Sequence, residues 1–399
     1  MNARRARVLR SAGWLALVAC MLAGPPLQAA EPARPLFESE AELAVTLEAD
    51  WRVILRDRED PRRHAAVLAY TDASGVAHRI PVTVQARGVT RLRMCRFPPL
   101  RIRFERDAAA GSAFEGQRSL KLVTHCERGA THAQYVVQEL LAYRIYNRIT
   151  RHSFRVRPLA ITYLGQGGRG GPGSHFAFVI EDLREVARRT DHRRARRMPM
   201  APEEYDAPAM ARFMLFQYLI GNTDWEVLGR PGLEQCCHNV RVIAPRDSSG
   251  LVALPYDFDA AGMIDTAYAA PHPSLPIDSV TERLYRGFCA HDGPLEQVRG
   301  EFLAARQEIL DTVRTEPRLG SARRNATLRY LAGSYETFED PDRFARDIRG
   351  RCRRPGRAAR RPLLRFRRAA RRRHQRHPAG RPQAARVAAP APGFPGPAQ

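Results

Sequence analysis

The sequence predicts an α+β protein of two lobes. A β-rich N-terminal lobe with one helix spans residues 31–182, and an α-rich C-terminal lobe carrying a β-hairpin spans residues 183–350. Three observations predict this. Short alternating or β-branched runs crowd the first part of the chain. A single long helical pattern interrupts them after Thr124. From Pro202 onward helical spacing dominates, broken by two short apolar runs around a turn at Asp247–Gly250.

In order, an acidic, amphipathic stretch from Glu38 to Glu48 reads as a small helix. Trp51–Leu55, Ala65–Tyr70, His78–Gln85, Pro99–Phe104 and Ser119–Thr124 read as strands of an antiparallel sheet, with a turn at Thr71–Gly75. In His132–Ile149, Val136, Val137, Leu140, Leu141, Ile145 and Ile149 repeat at helical spacing. Val156–Tyr163 and Phe176–Ile180 resume the strands, and the glycines of Gly165–Gly173 make a flexible hairpin loop, since the GxxxxGK[ST] phosphate-loop spacing is missing. Glu181–Asp182 marks a crossover, and Arg184–Arg197 a basic, helical or loose linker with a solvated face. Ala207–Ile220 is a helix with Pro208 in its first turn. Val240–Ile243 and Leu251–Pro255 form the hairpin, and residues 280–350 read as three helices, one of them Leu295–Val313.

The formal charge of +23 does not describe the folded part. Fifteen arginines follow residue 350 and four precede residue 31, with no acid in either segment, which leaves residues 31–350 only slightly basic. This argues against specific nucleic-acid recognition by a folded face. Residues 351–399, rich in Arg, Ala and Pro, cannot bury a core and read as a disordered tail that could itself attract polyanions. At the other end, Arg4–Arg10, the apolar run Trp14–Gly24 and Leu27–Ala30 form a signal peptide over residues 1–30, hence an exported protein, periplasmic or secreted. A second reading makes Leu17–Cys20 a lipoprotein box, with membrane attachment only through an acylated Cys20. Six further cysteines suit an oxidising compartment. Cys95–Cys126 is the first expected pair, and Cys289 with Cys236 or Cys237 the next. Cys236, Cys237 and His238 together form a weaker metal candidate.

Lys121 is the sole lysine among 65 basic residues, set mid-strand in SLKLVT so that it points away from Leu120 and Leu122. A compact ammonium meets phosphate as a point charge, which arginine's planar fork does not reproduce. Glu139 on the following helix is the carboxylate expected to hold it. Downstream stand Asp224 in a Gly-Asn-Thr-Asp turn, Asn239 at a strand start, and Asp257 and Asp259 after the last strand. Asp224 suits a base that orients a hydroxyl, or a simple turn cap. An amide and two carboxylates suit Mg²⁺ or Mn²⁺.

Over roughly residues 80–265 the chain resembles the CotH family of spore-coat kinases and, more distantly, kinases of the secretory pathway. The resemblance rests on Ala86-Arg87-Gly88, PPLRIRF, LKLV, YVVQELLAYRI, NTDW, HNVRVI and LPYDFDAAG. It implies a two-lobed protein-kinase-like fold with ATP as cofactor. Arg87 and Lys121 would then lie on the phosphates, Asp224 would be the catalytic aspartate, and Asn239, Asp257 and Asp259 would hold the metal. The activity implied is phosphoryl transfer from the nucleotide to a hydroxyl of a protein or envelope component, and the same groups serve adenylylation and glutamylation. Two alternatives stand beside it: an inactive, disulfide-stabilised envelope binding protein, and polyanion binding through the Arg-rich tail.

Overall fold

The structure, a computed structural model, describes residues 35–59, 62–197, 199–229, 238–247 and 250–354. Its first half is a closed barrel. The strands are β1 (Leu43–Ala49), β2 (His64–Thr71), β3 (Ala77–Ala86), β4 (Leu100–Phe104), β5 (Ser119–Val123), β6 (Val156–Leu164) and β7 (Gly173–Ile180), arranged in the order β1-β2-β3-β4-β5-β7-β6. All neighbours pair antiparallel except β1 and β6, which close the ring in parallel from Leu43↔Leu159 to Glu48↔Leu164. This corrects the expected two-lobed, protein-kinase-like fold: the molecule is a seven-stranded mixed barrel with helices.

Two local readings change with it. Much of Glu38–Glu48, expected as a helix, belongs to β1 (Leu43–Ala49), the strand that closes the barrel. Its alternation buries Val45, Leu47 and Ala49 while Thr46 and Glu48 face outward. Trp51–Leu55, expected as a strand, lies in helix α1 (Trp51–Arg56), which Asp50 caps by accepting the Val53 N–H at 3.1 Å. Leu47, Leu68, Val84, Leu100, Leu120 and Ile161 fill the barrel and are fully buried. Closure leaves the sheet without an open edge.

Helix α2 (Thr90–Met94) lies between β3 and β4, and α3 (Ala130–Ile149) follows β5. The outward side chains Val123, Val156, Phe178 and Ile180 of the barrel join a second core with α3 and α5 (Ala207–Ile220). The basic linker divides into α4 (Leu183–Arg189) and β8 (His192–Arg194). The expected hairpin, β9 (Val240–Pro245) and β10 (Val252–Pro255), adds to β8 in a sheet of order β10-β9-β8. Four helices follow where three were expected: α6 (Leu295–Ala304), α7 (Arg306–Arg314), α8 (Ser321–Glu339) and α9 (Pro341–Asp347). The expected run Leu295–Val313 breaks at Ala305.

Disulfides join Cys95 to Cys126 and Cys289 to Cys352. The first is the expected pair. The second corrects the pairing of Cys289 with Cys236 or Cys237, which lie outside the described residues. It also holds the start of the Arg-rich tail against the fold, where the Arg353 N–H donates to the Gly287 carbonyl at 2.7 Å. The signal segment, Cys20 and residues 355–399 lie outside the described residues. No described helix is long and apolar enough to cross a membrane.

Because β1 closes the barrel, Leu47→Ala should destabilise the protein by about 2–5 kcal/mol in urea unfolding, as Leu120→Ala should. An exposed helix at residues 43–49 would make Leu47→Ala nearly neutral.

Candidate functional site

Lys121 lies on β5 opposite Arg101 of β4 and Ile180 of β7. Leu120 and Leu122 point into the barrel, so Lys121 faces outward, toward α3 and the β9–β10 hairpin. Its Nζ sits 4.0 Å from the centre of the Tyr256 ring and 6.0 Å from that of Phe154. The guanidinium of Arg241 lies 4.4 Å from the same Tyr256 ring. Burial, then the nearby Arg87 and Arg241, push the Lys121 ammonium well below its ordinary range, while Asp257 pulls it back.

Directly after Tyr256 come the two aspartates, and an arginine stands between them. Arg91 of α2 donates from Nη2 to Asp257 Oδ1 at 2.9 Å, and its Nε lies 3.2 Å from Asp259 Oδ2. It also reaches Glu139 of α3 through Nη1 at 3.3 Å and Nη2 at 3.4 Å. Glu139 is 2% exposed and Arg91 10%. Three carboxylates thus share one buried guanidinium. Burial pushes the Glu139 carboxyl up to about 8, against the pull of Arg91, and raises Asp259 as well. Asp257 is held low by Arg91, Arg87 and Lys121, which together outweigh its burial. The Tyr143 hydroxyl accepts the Asp257 N–H at 2.9 Å, and Tyr268 donates to Asp259 Oδ2 at 3.1 Å. The Cys95–Cys126 bridge ties the end of α2 to the segment following β5, so Arg91 and Lys121 share one anchor.

The third group is Asp224. Helix α5 ends at Gly221 in the left-handed conformation, φ 66°, where a Cβ would run into the Tyr330 hydroxyl. Asn222 then wires the turn: its N–H donates to the Gln217 carbonyl at 2.8 Å, and its Oδ1 accepts the Asp224 N–H at 3.0 Å. Asp224 Oδ2 accepts from Asn239 Nδ2 at 2.9 Å, and Oδ1 meets His238 Nε2 at 2.9 Å. Asn239 and Asp257 both hold positive φ, 52° and 66°, a backbone state that Asn and Asp tolerate better than other side chains. His238 is raised by its bond to Asp224, with smaller contributions from Asp257 and Asp259.

Lys121, Asp224, Asn239, Asp257 and Asp259 therefore meet at one place. Arg87, at the end of β3 beside Gly88, lies close enough to shift both Lys121 and Asp257. One expected contact is corrected: Glu139 holds Arg91 and not Lys121, because α2 inserts an arginine where the strand lysine was expected to reach. Sequence reasoning missed Arg91, Tyr143, Tyr268 and Arg241. Arg91 was one arginine among many, and nothing local marks it. For a divalent cation the donor chemistry fits. Asp257 Oδ2 and Asp259 Oδ1 carry no hydrogen bond among the described residues, Asn239 keeps its amide oxygen, and three carboxylates face the single Arg91 guanidinium. The set is two carboxylates and an amide; among the described residues no three acid or imidazole ligand atoms of this site gather within reach of one another. Cys289, Asp292 and Cys352 do gather, but their sulfurs are joined to each other and are not thiolates.

Beside Lys121 opens a cavity of about 620 Å³, walled by Arg101, Arg103, Arg118, Lys121, Arg194 and Arg241. A cationic chamber thus adjoins an acidic cluster across Tyr256. In comparison with known proteins, no family model matches the chain and no curated protein matches it.

Arg91→Ala should cost about 3–5 kcal/mol of unfolding free energy, since it strands buried carboxylates. Glu139 titrates in the folded protein at about 8, above its ordinary 4.5, so its contribution is full at low pH and is lost as pH rises toward 8. The wild-type denaturation midpoint should therefore fall between about pH 5 and pH 8.5, and Glu139→Gln should flatten that fall. An unchanged slope in Glu139→Gln would place the titration elsewhere.

Proposed function

We propose that this chain is an exported phosphotransferase that passes a phosphoryl group from ATP to a hydroxyl of a protein or envelope component. The observation that carries this reading is the position of the sole lysine. Lys121 stands between a cation-lined cavity and Asp257, with Asp224 and Asn239 bonded to each other beside the same acidic cluster. The cavity would take the donor's phosphates, and the arriving anion would favour the charged form of Lys121. Asp224 is held on both carboxylate oxygens and is 43% exposed, so it can orient an incoming hydroxyl and accept its proton. The new oxygen–phosphorus bond forms as the bond to the departing ADP breaks. Mg²⁺ or Mn²⁺ held by Asp257, Asp259 and Asn239 would neutralise phosphate charge. The two disulfides support an oxidising, exported setting.

Arg91 favours a second reading. Its guanidinium already stands between Asp257 and Asp259. A protein that binds its ligand with a built-in cation, and performs no transfer, would look like this.

Differential scanning of the full chain separates the two. The phosphotransferase predicts a rise in Tm with ATP and Mg²⁺ together, and release of phosphate from ATP into water. Lys121→Ala should abolish the rise. Asp224→Asn should keep it while slowing phosphate release by about 100-fold or more. Stabilisation by ATP with no phosphate release in either metal supports the binding protein. No stabilisation, with Lys121→Ala and Asp257→Ala both silent, overturns both.

A further inference from the structure

We infer that the anion this cavity takes is a chain of linked phosphates, an inorganic polyphosphate, in preference to a nucleotide. The inference rests on the phosphotransferase reading and replaces its ATP donor with a polyphosphate.

Cations outnumber acids on the cavity's wall. None of Arg101, Arg103, Arg118, Lys121, Arg194 and Arg241 is ion-paired among the described residues, and the Arg103 Nε is buried without a hydrogen-bond partner. The acids on the same wall are committed elsewhere. Glu181 accepts from Arg189 at 2.9 and 3.0 Å and from the Arg155 N–H at 3.0 Å. Asp182 caps α4 by accepting the Arg184 N–H at 2.9 Å, and Glu185 pairs with Arg188 at 3.1 Å. The cations also face one another: burial and then Arg87 and Arg103 lower the Arg101 guanidinium, and Asp182 offsets this only in part. Like charges gathered in a partly desolvated space call for a ligand with several negative charges.

What the cavity lacks is a seat for a base. Of its apolar lining, Phe154 and Ile180 are 2% and 3% exposed and present almost no surface, which leaves Leu183 as the one partly exposed apolar side chain among the described residues. The Tyr256 ring has Lys121 and Arg241 against it. Nucleotide sites hold the base between apolar or aromatic surfaces. Here the cations come from β4, β5, β8 and β9 and from Arg118 just before β5, several separate positive charges around one cavity, as a polyphosphate carries several negative ones. As donor, the chain would lose its terminal phosphoryl group. The acceptor oxygen bonds to that phosphorus, its proton passes to Asp224, and the terminal P–O–P bond breaks to leave a polyphosphate one unit shorter.

Calorimetric titration of the full chain with sodium tripolyphosphate, ATP and adenosine tests this. Tripolyphosphate should bind at least as tightly as ATP, adenosine should not bind, and affinity should fall steeply with salt. Arg103→Ala with Arg241→Ala should weaken tripolyphosphate at least tenfold without changing the unfolding midpoint. ATP binding ten times tighter than tripolyphosphate would overturn the inference and leave the ATP phosphotransferase standing. Unchanged affinity in the double variant would overturn it too, by placing the binding in the Arg-rich tail, and equal affinity for a sulfated polysaccharide would remove the preference for phosphate. Tripolyphosphate binding lost in the double variant, with no transfer from it or from ATP, would keep the ligand and discard the phosphotransferase.

Discussion

One buried guanidinium holds three parts of this molecule together. Arg91 comes from a five-residue helix, Glu139 from the long helix α3, and Asp257 and Asp259 from the turn after the last strand of the small sheet. None of these segments neighbours another in sequence. A carboxylate buried alone would take up a proton or force the fold open. Shared around one arginine, the three acids are tolerated, and the cluster still carries more acid than base. Burial first, and then the neighbouring carboxylates, keep Glu139 and Asp259 raised, and the imbalance makes the place attractive to a further cation.

The same geometry sets the electrostatics of its surroundings. Tyr256 lies on the boundary. On one side Lys121 and Arg241 rest against its ring and continue into a chamber of arginines, and on the other the chain runs straight into Asp257. A ligand bridging the two would put its negative charge in the chamber and its reacting end near the acids and the Asp224–Asn239 pair. The proposed phosphoryl transfer would use this opposition of charges at short range, because the transferred group is itself an anion attacked by an oxygen nucleophile.

Much of this site was legible one residue at a time. Lys121 stood out because the chain spends its basic charge on arginine everywhere else. Asp224, Asn239, Asp257 and Asp259 stood out as polar groups at the ends of apolar segments, and helix α5 was legible to the residue, from its proline in the first turn to its closing glycine. Arg91 was not legible. Its role depends on three acids that only the folded chain brings near, and the stretch around it, Thr90–Met94, carries no helical or strand period. The arginine chamber was hidden for the same reason: its members are scattered over four strands and look like ordinary surface charge in each.

The sequence by itself determined the local elements with strong periods, the lysine's outward direction, and the grouping of acids near the hairpin. Those follow from alternation, helical spacing and residue chemistry, which act between near neighbours along the chain. The tertiary structure alone decided that the sheet closes. The glutamates of Glu38–Glu48 make that stretch read as an amphipathic helix, and the alternating Val45, Leu47 and Ala49 gain meaning only beside β6, a partner far along the chain. It likewise decided that Glu139 meets Arg91 instead of Lys121. Closure and charge pairing are both settled by which distant surfaces exclude water together, and no local pattern encodes that choice.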